Sequence, residues 1–197
     1  MTSLGYFNQE GILKNTSFNR ISGRVNVDQT VNDYIKAGAN LYAHREMSNT
    51  QSYSGTILNS NVLLSILSFD PAIAPYNPDG TYGRPENGRG DNPLCNLLER
   101  KNEKTIDKLD GTAYVEIAPF KGFTAKATAG IETLHEFQGS YLPASTYQGG
   151  IDKGVASTYD YSSTRQLFEG ILNYTTTIKE KHDLSVMLGY TYEKFTG

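Results

Sequence analysis

Along most of this chain polar and apolar residues alternate with a period of two, the period of a strand with two unlike faces. After Phe18 one face reads Ile21, Gly23, Val25 and Val27, while the other reads Arg20, Ser22, Arg24, Asn26 and Asp28. The pattern resumes with Ile35, Ala37, Ala39, Leu41 and Ala43 against Lys36, Gly38, Asn40, Tyr42 and His44. Further strands are predicted by Leu109, Gly111, Ala113, Val115 and Ile117, by Phe123, Ala125, Ala127, Ala129 and Ile131, and by Leu184, Val186, Leu188, Tyr190 and Tyr192. A less cleanly separated segment runs from Arg165 to Thr177, and the residues around Tyr6 predict the end of one more strand.

Each clear segment lasts about ten residues, the length that crosses a bilayer at a tilt of roughly 45°, whereas globular strands average about five or six. Alternation by itself fits two architectures. In a soluble sandwich the apolar face meets a second sheet; in a large barrel it meets lipid, and the charged face lines a wet lumen. The spacing of the segments separates them. Links near Asp28–Tyr34, Pro119–Gly122 and Lys179–Asp183 are short, while those over residues 48–104 and 138–158 are long. Short turns at one end and long loops at the other are an outer-membrane pattern, and a compact soluble domain rarely holds a connection of about fifty residues. The predicted fold class is all-β and antiparallel, with about seven strands and long extracellular loops.

Composition adds to this picture. The 197 residues include 14 Tyr, 8 Phe, 19 Gly and no Trp, with only 38% hydrophobic, a mixture suited to strands and turns. A net charge of -3 argues against a nucleic-acid partner. The single cysteine, Cys95, excludes an internal disulfide and a multi-cysteine zinc site. No stretch approaches the roughly 18 apolar residues of a spanning helix, which leaves spanning strands untouched. Met1 to Glu10 show neither the basic head nor the apolar run of an export signal, so the chain reads as an internal piece of an exported protein.

Several ordered stretches carry a family resemblance. Gly11-Ile12-Leu13-Lys14-Asn15, then Phe18-Asn19-Arg20 and Arg24-Val25-Asn26, resemble the strand entry of SusC/RagA-like TonB-dependent outer-membrane transporters. Lys36-Ala37-Gly38-Ala39-Asn40-Leu41 looks like the strand that follows, and Pro75-Tyr76-Asn77-Pro78-Asp79-Gly80-Thr81-Tyr82-Gly83 with Asn92-Pro93-Leu94 resembles the family's long external loop. His182-Asp183-Leu184 through Gly189-Tyr190 matches a short turn followed by a strand. The resemblance covers nearly all of residues 1–197 and implies a plugged barrel of about 22 strands, to which this chain supplies wall and loops. It also implies a Gram-negative, Bacteroidetes-like outer membrane, import of oligosaccharides or peptides, a SusD-like surface lipoprotein and coupling to TonB–ExbB–ExbD through a region outside this chain. Receptors for siderophores or cobalamin are a near alternative. A carbohydrate-binding β-sandwich is the alternative from another class.

No catalytic set, cofactor motif or metal pattern emerges, and His44, His135 and His182 are widely spaced. Gly88, Gly90, Arg84 and Arg89 match no phosphate-loop fingerprint. Arg20, Arg24, Lys36, Lys126, Glu116 and Glu132 either line a solute path or form cross-strand pairs that brace a wet wall, the second being the stronger expectation. Tyr76 and Tyr82 flank a turn and are the candidate substrate contacts, able to stack on a sugar ring or to pack the loop against itself. Val62, Leu63, Ile66 and Leu67 predict a short amphipathic helix capped by Asn59 or Ser60, whose stripe contacts a partner or anchors the loop. Tyr190, Tyr192 and Phe195 suit an interfacial aromatic girdle, and Tyr141 and Tyr147 fall in the second long loop without a role.

Overall fold

The computed structural model describes residues 1–51, 61–86, 91–179 and 181–197. Seven antiparallel strands form one sheet in chain order: β1 (Thr2–Glu10), β2 (Ser17–Asn32), β3 (Ile35–Asn49), β4 (Lys101–Ile117), β5 (Phe123–Leu142), β6 (Val155–Ile178) and β7 (His182–Thr196). β1 and β7 are the two outer strands and do not pair with each other, so the sheet is open. Among the described residues three short helices lie in the connections: α1 (Val62–Ser68) and α2 (Pro93–Glu99) between β3 and β4, and α3 (Tyr147–Asp152) between β5 and β6. The strands outrun their sequence patterns. β5 and β6 are 20 and 24 residues long, so 138–142 and 155–158, read as loop, are paired strand. Their alternation fades there because neither face needs to be apolar above the membrane.

Register brings the alternating apolar positions of neighbouring strands to one face. Val25, Leu41, Gly111 and Ile131 stand opposite one another across β2 to β5, and Ala125, Leu172 and Leu188 across β5 to β7. Exposure is inverted relative to a water-soluble sheet. Val115 (48% exposed), Leu172 (42%) and Leu188 (66%) project freely, whereas Lys104, Lys108, Glu132 and Glu136 on the opposite face are partly sheltered. Among the described residues no strand position is buried and no second sheet covers the apolar face. A free apolar face of this extent is what lipid requires, and the sandwich alternative has nothing to bury Val25, Ala39, Val115 and Ala127 against.

The apolar belt crosses the register on a slant. On β1 its upper limit, toward the long connections, is Tyr6, which registers through Ile21, Arg45, Asp107 and His135 with Ser162 on β6. On β6 the belt stops at Phe168, about six residues lower. At about 3.4 Å per residue and about 4.8 Å between strands, that drift over five pairings is a slant of about 40°, inside the tilt range of barrel strands. Tyr34 and Phe120 lie at the short-turn end and are 59% and 57% exposed, and Phe120 stacks on Phe123 at 5.1 Å. These aromatics suit the lower membrane interface. Of the predicted girdle, Tyr190 and Tyr192 do face outward. Phe195 registers with Arg165 on the polar face, because an odd position among even ones points the other way.

Spin labels placed singly on the full-length protein in lipid test this arrangement. Labels at Val25, Ala39, Leu41 and Ala127 are expected to collide with oxygen, and labels at Arg24, Tyr42 and Thr128 with a water-soluble nickel chelate. Apolar positions shielded from both reagents would restore the sandwich.

Candidate functional site

The polar face carries a cross-strand network in which most charges already have partners. Arg20 lies 3.9 Å from Glu46, Lys108 reaches both Asp110 (3.6 Å) and Glu132 (3.4 Å), Lys104 meets Glu136 at 2.6 Å, and the Arg165 Nε donates to Glu193 at 2.6 Å. Two cations lie on aromatic faces instead, Arg24 over Tyr42 at 5.0 Å and Lys126 over Tyr114 at 4.4 Å. Lys36 and Glu116 stand opposite each other in register. Half-exposed pairs of this kind contribute about 0–1 kcal/mol each. Their main effect is to hold register and wettability along the wall. Of the six charged residues predicted for this face, Arg20 and Glu132 sit in ion pairs and Arg24 and Lys126 in ring contacts. Sequence reasoning missed Glu46, Lys104 and Glu136, and parity gives the face but not which residues meet across strands.

Gly38 is a fixed point in this wall. Asp28, Gly38 and Tyr114 are registered neighbours on β2, β3 and β4. The Tyr114 ring lies across Gly38 and its hydroxyl donates to Asp28 at 2.7 Å. A Cβ on Gly38 would sit 2.4 Å from the Tyr114 Cε1 and 2.5 Å from the Asp28 Oδ1, so the aromatic bridge exists only because position 38 has no side chain.

The buried side chains among the described residues lie outside the strands, in the connections at the upper end: Gln51, Val62, Ser65, Asp91, Asn92, Cys95, Asn96, Pro143 and Thr146. Asn92 organises this cap. Its Oδ1 accepts from the Leu94 N–H at the start of α2, and its Nδ2 donates to the carbonyls of Pro75 and Gly83 at 3.0 Å. Asn15, at φ 58°, donates to the carbonyls of Leu97 and Leu98 at the far end of the same helix. Arg84 donates to the Ser145 carbonyl at 2.5 Å, and the Ser145 hydroxyl donates to Glu99. All three upper connections are thereby tied together. Burial pushes the Cys95 thiol up to about 11, leaving it unreactive at neutral pH.

Tyr76 and Tyr82 form a bridge around the Asn77-Pro78-Asp79-Gly80-Thr81 turn, with ring centroids 5.4 Å apart. Gly80 takes φ 84°, which suits glycine. Asp79 accepts from the Thr81 hydroxyl and N–H at 2.6 and 3.0 Å, and those bonds hold its carboxyl below the usual range. Burial, with a hydrogen bond to Glu99, raises the Tyr82 phenol. The two rings thus pack the loop against itself and onto α2, while Tyr76 stays 49% exposed.

α1 corrects its expected cap. The Leu64 N–H donates to Asn61, while Asn59, Ser60, Gly88, Arg89 and Gly90 lie outside the described residues. In so short a helix only Val62 and Ser65 turn inward, and Leu63 and Leu67 are 47% and 76% exposed. His182 opens β7 opposite Ile178 rather than sitting in a turn. No group of potential metal ligands occurs among the described residues.

No family model matches the chain. It is similar to TonB-dependent receptor P3 of Formosa agariphila, 29% identical over 194 residues that make up 96% of this chain and 19% of that protein. TonB-dependent receptor P26 of the same organism is 26% identical over 201 residues, 98% of this chain and 19% of the relative. Among solved structures, the RagAB peptide importer in its 'closed-closed' state matches with a TM-score of 0.80 at 25% identity, over 98% of this chain and 22% of the matched one. The RagAB peptide transporter matches at a TM-score of 0.77 over the same shares. The chain spans about a fifth of the length of these relatives.

Two substitutions probe the wall and the cap in the full-length protein. Gly38→Ala is expected to lower stability by about 1–3 kcal/mol, measured by urea denaturation in detergent, and Tyr114→Ala in the same chain is expected to remove most of that loss. Asn92→Ala removes one helix cap and two loop tethers, a loss of about 1–3 kcal/mol to the cap. Protease added to intact cells is expected to cut residues 61–100 faster in that variant, with the barrel itself unaffected.

Proposed function

We propose, from the chain's similarity to TonB-dependent receptors and to the RagAB transporter, that it is a SusC/RagA-like wall segment of such a β-barrel and that the intact protein imports oligosaccharides or peptides across the outer membrane of a Gram-negative, Bacteroidetes-like bacterium. The single observation that carries the reading is the inverted sheet, with a slanted apolar belt outside and a paired, wet wall inside. A wall of this kind encloses an aqueous path wide enough for a hydrated solute. Transport requires no bond chemistry of this wall, and its relatives are receptors and transporters rather than enzymes.

In this proposal a SusD-like lipoprotein sits over the cap and hands cargo to the lumen, while TonB–ExbB–ExbD supplies energy through a part of the protein outside this chain. The tied connections support it. They present Leu63 and Leu67 outward on α1, and the internal anchoring falls to Val62, Asn15, Asn92 and Ser145 instead.

Uptake of labelled oligosaccharide and peptide mixtures by cells carrying the full-length protein is the test. Uptake is expected to fall to the level of receptor-free cells when TonB is removed. Uptake that ignores TonB, or that needs only an iron chelate or a cobalamin, would overturn the reading.

A further inference from the structure

Above the membrane belt, β6 carries Tyr159 and Tyr161 on the polar face, registered with Gln138 and Glu136 of β5. Their rings are nearly parallel, 11° apart with centroids at 6.5 Å, and Tyr159 is 52% exposed. The groups around them are matched among themselves. Lys104 pairs with Glu136 at 2.6 Å, Gln138 donates to Asn102 at 2.7 Å, and the hydroxyls of Ser140 and Ser157 meet at 2.7 Å. The patch lies just below α3 and its connection, on the side of the wall that the import path would follow.

We propose that Tyr159 and Tyr161 form a stacking subsite for a neutral sugar ring of the cargo, an assignment that rests on the import reading above. A pyranose offers a flat C–H face and a rim of hydroxyls. The two parallel phenol rings, with Tyr159 half exposed, suit the face, and the carboxylate, amide and hydroxyl groups beside them suit the rim. The matched charges select against an ionic ligand: among the described residues of the patch a peptide terminus or a phosphate would find no free counter-charge, and seating it would break the Lys104–Glu136 pair. The Tyr76–Tyr82 pair is a poorer platform. Its rings are tilted by 34° and Tyr82 is committed to Glu99.

The test uses the full-length protein purified from outer membranes, titrated by native mass spectrometry with maltohexaose, cellohexaose, xylohexaose and mannohexaose, and separately with a tryptic digest of casein. At least one hexasaccharide is expected to bind. The double variant Tyr159→Ala/Tyr161→Ala is expected to weaken that binding by about tenfold or more, while Tyr159→Phe/Tyr161→Phe keeps it and Tyr190→Ala on the lipid face leaves it unchanged. The phenylalanine pair separates loss of stacking from loss of folding. Hexasaccharide binding that survives the alanine pair overturns the subsite, as does binding of casein peptides alone or of nothing in either set. TonB-dependent uptake, measured independently, decides whether the import reading stands when the subsite falls.

Discussion

Hydrocarbon offers a backbone no partner, so each N–H and C=O at membrane depth must be satisfied within the protein. That constraint explains why the seven strands pair strictly with their chain neighbours and in long, nearly unbroken registers. It also accords with the one register shift among these pairings lying at Thr30/Asn32, at the short-turn end of β2. A bulge in the belt itself would leave a peptide group facing lipid. The outer edges of β1 and β7 are unpaired in this sheet, and such edges are satisfied in a membrane only by further strands.

The same constraint redistributes the usual roles of side chains. The strands have no buried core, and what holds them is the ladder plus lipid on one face and paired charges on the other. Close packing appears instead in the cap, where Val62, Cys95, Asn92 and Thr146 are buried with a high share of polar atoms. A soluble mini-core of that polarity is weak by itself. It is steadied by its tethers to three connections, through Asn15, Arg84 and Ser145. Wall and cap are therefore stabilised by different forces, the wall by the membrane and the cap by directional hydrogen bonds.

The fold was largely legible in the sequence because strand parity is a local signal. Once Val25, Ala39, Val115 and Ala127 are seen to alternate with charges, the two faces follow, and the unequal links make the meander. The ends of β5 and β6 were not legible: the alternation that marks a strand comes from the membrane, and above it Gln138–Leu142 and Val155–Thr158 mix polar and apolar residues on both faces. Gly38 illustrates the same limit. It reads as one small residue in a strand, and its role emerges only when Asp28 and Tyr114 are brought beside it by register. The candidate residues Tyr76 and Tyr82 were found from a turn motif, whereas Tyr159 and Tyr161 were hidden in a segment assigned partly to loop.

That contrast bears on where cargo would be read. Tyr76 sits in a connection held by a few hydrogen bonds, so its order rests on fewer contacts than a strand ladder supplies. Tyr159 and Tyr161 lie above the part of β6 that pairs with β7, which begins at Thr164, and are held by the unbroken ladder to β5, where each has a registered partner. For a ligand that offers weak, repeated stacking and hydroxyl contacts, a preformed platform retains more of each contact as net affinity. The physics therefore favours recognition on the extended wall over recognition in the connections above it.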